Sequence, residues 1–185
     1  STTILQRLTE AYRKMRNTFR YALGNLYDFD PNTDALPGDQ LLGVDQWILL
    51  ETADLVRKCL AWYGEYAFHK VYRAVYDFIT INLSAVYFDI SKDRLYTAAP
   101  KSQGRRSAQT ALYRINDALV RLLAPILSFT AEEVWGHIPR VQGDPDSVHL
   151  TLFPDPDAIT TGIPAEARER VADWNRLMDV RTAVL

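Results

Sequence analysis

Apolar residues recur at alternating steps of three and four over the first 26 residues of the chain. This spacing places them along one side of an α-helix and predicts a long helix packed in a bundle. The stripe consists of Leu5, Leu8, Tyr12, Met15, Phe19, Ala22 and Leu26. Gly24 weakens the last turn, and residues 28–39 (DFDPNTDALPGD) are rich in turn-forming types. The first helix is therefore predicted to end in a loop.

Similar stripes predict helices through the middle of the chain. A second helix is predicted over about 44–63, and a third over about 66–90. The third is apolar around much of its circumference, so we expect it to be the most deeply buried element. Residues 91–106 (SKDRLYTAAPKSQGRR) are interpreted as a basic connector, because Pro100 and Gly104 oppose a helix running through them.

A fourth helix is predicted over about 108–122, followed by a short fifth one. The start of the fifth carries a local signature. Thr130 is a favourable N-cap with Glu133 three residues later, which is the pattern of a capping box. Phe129 and Val134 occupy the positions of a hydrophobic staple. The sequence therefore predicts that this helix begins at Thr130.

The remaining pattern completes an all-α antiparallel helix bundle. Residues 147–154 alternate enough to predict a short irregular or extended piece, and a last helix is expected from about 165 to the end without a stop signal. Three parts follow: a helical domain over 1–142, an irregular connector over 143–163, and the start of a C-terminal helical extension over 164–185.

Composition is that of an ordinary globular protein, with 48% hydrophobic and 24% charged residues. Cys59 is the single cysteine, so no internal disulfide is possible. The beginning lacks the apolar stretch of a secretory signal, and no apolar run is long enough to span a bilayer. We therefore expect a cytoplasmic protein without a membrane partner.

A search for catalytic motifs finds none. Neither of the common glycine-rich phosphate loops occurs. His69, His137 and His149 lie far apart in the sequence without metal-ligand spacing. We therefore expect no catalytic residue, no metal site and no enzymatic activity in this chain by itself.

Charge is unevenly distributed along the chain. The formal net charge is −2, but residues 1–27 hold five basic groups against one acid, and residues 91–114 hold six against one. These windows carry +4 and +5, so the remainder carries −11. This segregation indicates one face suited to a polyanion. Two solvated helix flanks would produce the same pattern, so both interpretations stay open at this point.

Several stretches together resemble the anticodon-binding domain of isoleucyl-tRNA synthetases, in the family order and over essentially the whole chain. They are AYRKMRNTFRYALGNLYDFDP (11–31), VDQWIL (44–49), YAFHKVYRAVYDF (66–78), LSAVYFDISKDRLYT (83–97), RRSAQTALYRI (105–115), LLAPILSFTAEEVWGHIP (122–139), HLTLFP (149–154) and WNRLMDVRTAVL (174–185). Valyl- and leucyl-tRNA synthetases share the LAP and TAEE pattern, whereas RNTFR, LGNLYDFDP and SKDRLY favour the isoleucyl enzymes. Gln46 departs from the family, which usually has arginine before this tryptophan.

The resemblance implies a binding partner, and it implies that catalysis belongs to other parts of a longer enzyme. Enzymes of this family join isoleucine to its tRNA with ATP and magnesium. Their HIGH and KMSKS signatures, editing domain and C-terminal zinc segment do not occur in this chain. We therefore expect a monomeric module without a cofactor, whose partners are the anticodon stem-loop of isoleucine tRNA and the rest of a parent synthetase.

Candidate tRNA-binding residues fall in the two basic windows. Arg13, Arg16 and Arg20 share a helix face and could follow a phosphate track, while Asn17 could pair with a base edge. By resemblance to the related methionyl enzymes, the first helix and the segment after the third helix lie beside the anticodon. Tyr96 then becomes the candidate stacking ring. Lys92 and Arg94 are expected to supply positive charge beside Tyr96, and an extension of the basic surface along the stem is expected from Lys101, Arg105 and Arg106.

Each candidate also has a structural alternative, since the arginines could form surface ion pairs and Tyr96 could close the end of the bundle. A helical scaffold domain whose basic patch binds an acidic partner is the competing function, followed by the equivalent domain of a valyl- or leucyl-tRNA synthetase. RNA binding predicts a steep dependence on salt, which a scaffold lacks.

Overall fold

The computed structural model describes residues 2–184, without the side chains of Thr2, Ile4 and Thr182. Within this range the chain is helical and contains no β-strand, which confirms the predicted all-α class. The elements are α1 (Thr2–Gly24), α2 (Gly43–Gly64), α3 (Phe68–Asp77), a π-helical segment (Phe78–Tyr87), α4 (Phe88–Thr97), α5 (Gln103–Leu123), α6 (Ser128–Trp135), α7 (Pro156–Ile159), α8 (Ala165–Glu169) and α9 (Val171–Val184), with 3-10 turns at Gly38–Gln40 and Val148–Leu150.

The long helices form an up-and-down bundle. Asp45 near the start of α2 accepts a hydrogen bond from Ser107 near the start of α5, and Tyr63 at the end of α2 donates to the carbonyl of Leu122 at the end of α5. Helices α2 and α5 therefore run in the same direction. Arg94 near the end of α4 also reaches Asp45, so the continuous arm from α3 to α4 runs the opposite way.

Helix α1 runs with this arm, because Gln109 in the first half of α5 donates to the carbonyl of Asn25, just past the end of α1. The last turns of α1 and α4 therefore meet the first turns of α2 and α5. We call this the distal end of the bundle. The last turns of α2 and α5 lie at the other end with the first turn of α3.

Most of the predicted stripe of α1 is confirmed, with Met15, Phe19 and Ala22 buried in the core. Leu5, Leu8 and Tyr12, by contrast, are exposed. The expectation that the third predicted helix, over 66–90, is the most buried element is wrong, since α5 contributes more buried residues than α3 and the π-helical segment together. Helix α5 lies among α1, α2, α4 and α6. Small residues such as Ala108, Ala111 and Ala118 permit that close approach.

The third predicted helix continues seven residues past its predicted end at 90, to Thr97. Its middle is π-helical, with the amide of Phe88 bonded to the carbonyl of Leu83 five residues earlier. This wider winding shifts side chains around the axis. The residues predicted as a connector over 91–97 are therefore helical, and the chain leaves the helix only ahead of Pro100.

The predicted capping box is wrong. Helix α6 begins at Ser128 rather than Thr130, and the Thr130 hydroxyl pairs with the hydroxyl of Tyr12 at 3.0 Å. Phe129 is 95% exposed, so it forms no staple with Val134. Contacts from α1 have replaced the local pairing that the sequence pattern predicted.

The segment predicted as extended contains the 3-10 turn Val148–Leu150. Thr151 and Asp155 do have extended dihedral angles, but they pair with no strand in the described part of the chain. The segment is therefore irregular, in agreement with one of the two predicted forms.

The C-terminal helix packs back on the bundle. The indole nitrogen of Trp47 donates to Asn175 at 3.0 Å, and the rings of Trp47 and Trp174 lie 6.3 Å apart. The apolar core includes Ile159 and Ile163, and Trp174 packs against it. The division at 142 and 164 stays a prediction. None of the helices in residues 2–184 has the length and apolar character needed to cross a bilayer.

Candidate nucleic-acid interface

One face of α1 presents the predicted cationic row to solvent. Because Met15 and Phe19 are buried, Arg13, Arg16 and Arg20 lie on the outer side of the helix. Within residues 2–184, neither Arg13 nor Arg20 forms an ion pair or a side-chain hydrogen bond. Positive charge at these two positions is therefore available to an external anion.

A groove of about 470 Å³ runs between α1 and α6, lined by Arg16, Asn17, Arg20, Glu133 and His137 among others. Arg16 donates to Glu133 at 3.0 Å across this groove, and both side chains are more than half exposed. Exposed ion pairs of this kind contribute only ~0–1 kcal/mol. A phosphate group could therefore displace Glu133 from Arg16.

A second depression, of about 380 Å³, brings together Asn17, Arg20 and Tyr96 at the distal end. Tyr96 is 66% exposed. A third depression, of about 280 Å³, lies between α1 and the π-helical segment and includes Lys14 and Asn17. Asn17 lines all of these hollows, so they form one continuous surface around it.

Tyr21 lies at the base of this surface. Its ring stacks on Phe88 with 4.2 Å between centroids, and its hydroxyl is buried without a hydrogen-bond partner among the described residues. Burial raises the pKa of Tyr21 well above its ordinary value, and the neighbouring Tyr96 hydroxyl raises it further. Tyr21 therefore stays neutral and supports α4, which carries Tyr96.

The two predicted lysines are exposed near the end of α4. Lys92 lies one turn before Tyr96 and donates to Asp89 at 2.7 Å, a hydrogen bond that raises the pKa of Lys92. Asp89 also accepts from Arg181 of α9 at 2.8 Å. Lys101, in the connector to α5, has no ion-pair partner within residues 2–184.

Arg94 occupies a different environment from the lysines. Its guanidinium donates to both carboxylate oxygens of Asp45, at 2.8 and 2.9 Å, and to the carbonyl of Gly104. Burial lowers the pKa of Arg94, but the hydrogen bonds that Arg94 donates to the Asp45 carboxylate, together with the attraction of that carboxylate, outweigh burial and raise the pKa. Tyr87 and Ser107 donate to the same carboxylate. Arg94 therefore holds α4 against α2 and α5.

Arg105 and Arg106 also form ion pairs with aspartates inside the protein. Both are buried, and Arg105 donates to Asp28 at 2.9 Å. Arg106 contacts Asp34 at 3.3 Å and donates to Gln109 at 2.7 Å. The expectation that Arg94, Arg105 and Arg106 add to an exposed basic surface conflicts with these positions. Their part in RNA binding stays a prediction, while the observed contacts are structural.

The structure adds two residues to this surface, and one exposed ring at the distal end, that the sequence analysis did not select. Lys14 lies over the ring of Tyr76 at 5.6 Å, His137 lines the α1–α6 groove, and Tyr27 is exposed at the distal end. No sequence pattern set Tyr27 apart from its apolar neighbours. Among the described residues, no three His, Cys, Asp or Glu side chains are grouped so as to hold a metal ion.

Comparison with known proteins places this chain in a family. Residues 45–184 match the family described as the anticodon-binding domain of tRNA ligase. The chain is 49% identical over 185 residues to an isoleucine-tRNA ligase of Symbiobacterium thermophilum, and 47% identical over 187 residues to that of Halorhodospira halophila. Each alignment covers 100% of this chain.

A third relative, the isoleucine-tRNA ligase of Persephonella marina, is 50% identical over 152 residues, or 82% of this chain. The chain spans only 19% of the length of the first two relatives and 16% of the third. The family match covers most of the described helices, from the start of α2 to α9. This chain therefore belongs to the family of anticodon-binding domains of tRNA ligases.

Proposed function

We propose that this chain binds the anticodon stem-loop of isoleucine tRNA as one domain of an isoleucine-tRNA ligase. The relatives named above are isoleucine-tRNA ligases, and their chains are about five times as long as this one. In this proposal the parent enzyme attaches isoleucine to tRNA in the cytoplasm with ATP and magnesium, and catalysis, editing and zinc binding belong to other parts of it. The observation that carries the proposal is the convergence of Arg16, Arg20 and Tyr96 around Asn17.

The chemistry of an anticodon loop fits this surface. Its unpaired bases can turn outward, stack on aromatic rings and be recognised along their edges. Arg13 and Arg20 lie seven residues apart, about 10 Å along the helix axis, so α1 can contact more than one phosphate. Asn17, between them, offers an amide that can both donate and accept toward a base. Tyr96 offers a ring face at the end of this row.

Salt dependence provides the first test. Binding of a labelled isoleucine anticodon stem-loop is measured by fluorescence anisotropy at several salt concentrations. Each lost phosphate contact is expected to reduce the slope of log affinity against log salt by ~0.7–0.9. Arg13→Glu and Arg20→Glu should weaken binding and lower this slope. Arg176→Glu, on the exposed side of α9, is the matched control and should bind like the parent chain.

Sequence recognition provides the second test. A stem-loop with a changed anticodon should bind more weakly than the isoleucine stem-loop, and Tyr96→Ala should reduce that difference while leaving the salt slope unchanged. Stacking on one ring contributes ~1–3 kcal/mol per base. Tyr96→Phe keeps the ring and should retain the difference. Equal losses from Arg20→Glu and Arg176→Glu, or tighter binding to an acidic peptide than to RNA, would favour the scaffold interpretation.

Catalysis is tested separately. With ATP, magnesium, isoleucine and tRNA, the isolated chain is expected to form no aminoacyl-tRNA, because the proposed parent holds the adenylate-forming residues outside it. Turnover above a no-protein control in a radiolabelled-isoleucine assay would contradict this part of the proposal.

A further inference from the structure

Tyr27 is an aromatic residue whose exposure the fold does not require. Its ring is 79% exposed, although its neighbours Leu26 and Phe29 are both buried in the core. Single exposed apolar residues are common on protein surfaces and carry no meaning by themselves. Tyr27 differs from such residues because a charged group that is itself held in an ion pair lies over one face of its ring.

The covering group is the guanidinium of Arg105, whose central carbon lies 5.7 Å from the ring centroid. Arg105 is buried and donates to the carboxylate of Asp28 at 2.9 Å. The same carboxylate oxygen accepts a hydrogen bond from Gln109 at 2.8 Å. The guanidinium is therefore fixed from behind, and it provides a rigid cationic support for the Tyr27 ring.

The backbone that carries Tyr27 is also held in place. The side chain of Asn25 donates to the carbonyl of Tyr21 at 2.8 Å, and Gln109 donates to the carbonyl of Asn25 at 2.9 Å. The amide of Phe29 closes a turn on the carbonyl of Leu26 at 3.1 Å. Little conformational freedom remains to be lost when a ligand meets the ring, which favours binding.

Tyr27 lies at the same end of the bundle as Tyr96. Asn25, two residues before Tyr27, lines the depression that contains Tyr96. Arg94, two residues before Tyr96, donates to the carbonyl of Gly104, which directly precedes Arg105. The distal end thus presents two exposed tyrosine rings on supports that contact each other.

We propose that Tyr27 is a second stacking site, which takes an unpaired nucleobase of the RNA on the ring face opposite Arg105. This inference rests on the proposed function. A nucleobase matches the site because it is flat, apolar on both faces and needs no charged partner there, since Asp28 already neutralises Arg105. The Arg105 cation draws the electron density of the Tyr27 ring toward itself, which favours stacking of an electron-rich base on the outer face of the ring. The stack then consists of the base, the Tyr27 ring and the Arg105 guanidinium, in that order.

The experiment compares four Tyr27 variants and one control variant with the parent chain in binding to the isoleucine anticodon stem-loop. Tyr27→Phe and Tyr27→Trp keep a stacking face. Tyr27→Leu keeps an apolar cover over Arg105 without an aromatic face, and Tyr27→Ala removes both. Tyr66→Ala is the matched control, because Tyr66 is 81% exposed but lies at the opposite end of the bundle. Circular dichroism first establishes that every variant melts near the parent temperature.

Affinity for the stem-loop is expected to fall on the order of tenfold in both Tyr27→Ala and Tyr27→Leu, while the salt slope stays that of the parent. Tyr27→Phe, Tyr27→Trp and Tyr66→Ala should bind within about twofold of the parent. A fluorescent purine analogue placed in turn at each loop position should report the loss of stacking in Tyr27→Ala at one position. Replacing that nucleotide by an abasic one should remove the difference between Tyr27→Ala and the parent.

Three results would overturn the inference. If Tyr27→Ala binds like a parent chain that shows the expected salt dependence, Tyr27 is not a stacking site and the proposed function is unaffected. If the parent chain itself does not bind the stem-loop, both proposals fail together. A fall in affinity in Tyr27→Ala but not in Tyr27→Leu would indicate that the side chain only covers Arg105, and it would also refute stacking.

Discussion

The carboxylate of Asp45 connects the helices of the distal end, and its removal is the sharpest test of how this end is built. Asp45 is completely buried and accepts hydrogen bonds from Arg94, Tyr87 and Ser107. Asp45→Asn preserves the size of the side chain but replaces one acceptor oxygen with an NH₂ group. This new donor then faces the groups that donated to the lost oxygen. It also leaves the Arg94 guanidinium without its counter-charge.

The expected loss can be estimated from these contacts. Removing one partner of a buried ion pair destabilises a protein by about 3–5 kcal/mol, because the other charge remains uncompensated. The side chain of Arg94 keeps 21% of its exposure, so the lower end of this range applies. We therefore expect Asp45→Asn to reduce the free energy of unfolding by about 3 kcal/mol. For a chain of this size, that corresponds to a fall in Tm of roughly 10 °C.

Urea and thermal unfolding followed by circular dichroism measure this loss. Asp54→Asn is the control on the same helix, since Asp54 forms an exposed ion pair with Arg57 and its replacement should change stability by less than ~0.5 kcal/mol. Adding Arg94→Met to Asp45→Asn removes the uncompensated cation and should restore part of the stability. A loss for Asp45→Asn no larger than that for Asp54→Asn, or a double variant less stable than the single one, would refute the reasoning.

Other perturbations test separate parts of the structure. Glu133→Gln releases Arg16 from its exposed ion pair and should strengthen stem-loop binding by up to about fivefold in anisotropy titrations; weaker binding would show that Glu133 itself contacts RNA. Burial raises the pKa of the Cys59 thiol to about 11, so at pH 8 a disulfide reagent should label it only as fast as the protein unfolds. Immediate labelling of the native chain would contradict this burial. Gly38→Ala should lower Tm clearly, because a Cβ there would lie 2.4 Å from the backbone of Gly162, and an unchanged Tm would disprove this close packing.

The all-α class and the order of the long helices followed from the sequence, because apolar spacing directly reflects which side of a helix is buried. Met15, Phe19 and Ala22 occupy the core as their spacing predicted. The exposed face that carries Arg13, Arg16 and Arg20 followed from the same spacing, since it lies opposite the buried stripe. Local signals were less reliable where distant groups competed. Tyr12 and Arg16 engage the Thr130 and Glu133 side chains that the pattern assigned to a capping box.

Which basic residues are free was decided only by the tertiary structure. Arg20 and Arg105 belong to windows with charges of +4 and +5 along the chain, yet Arg20 faces solvent and Arg105 is paired with an aspartate 77 residues away. The charge pattern of a sequence carries no information about an ion-pair partner 77 residues away, because that ion pair forms only when α1 and α5 pack together. The same packing placed a rigid guanidinium behind Tyr27, a residue with no distinguishing sequence pattern. Helix periodicity thus determined which surface is polar, and long-range packing determined where that surface can bind an anion.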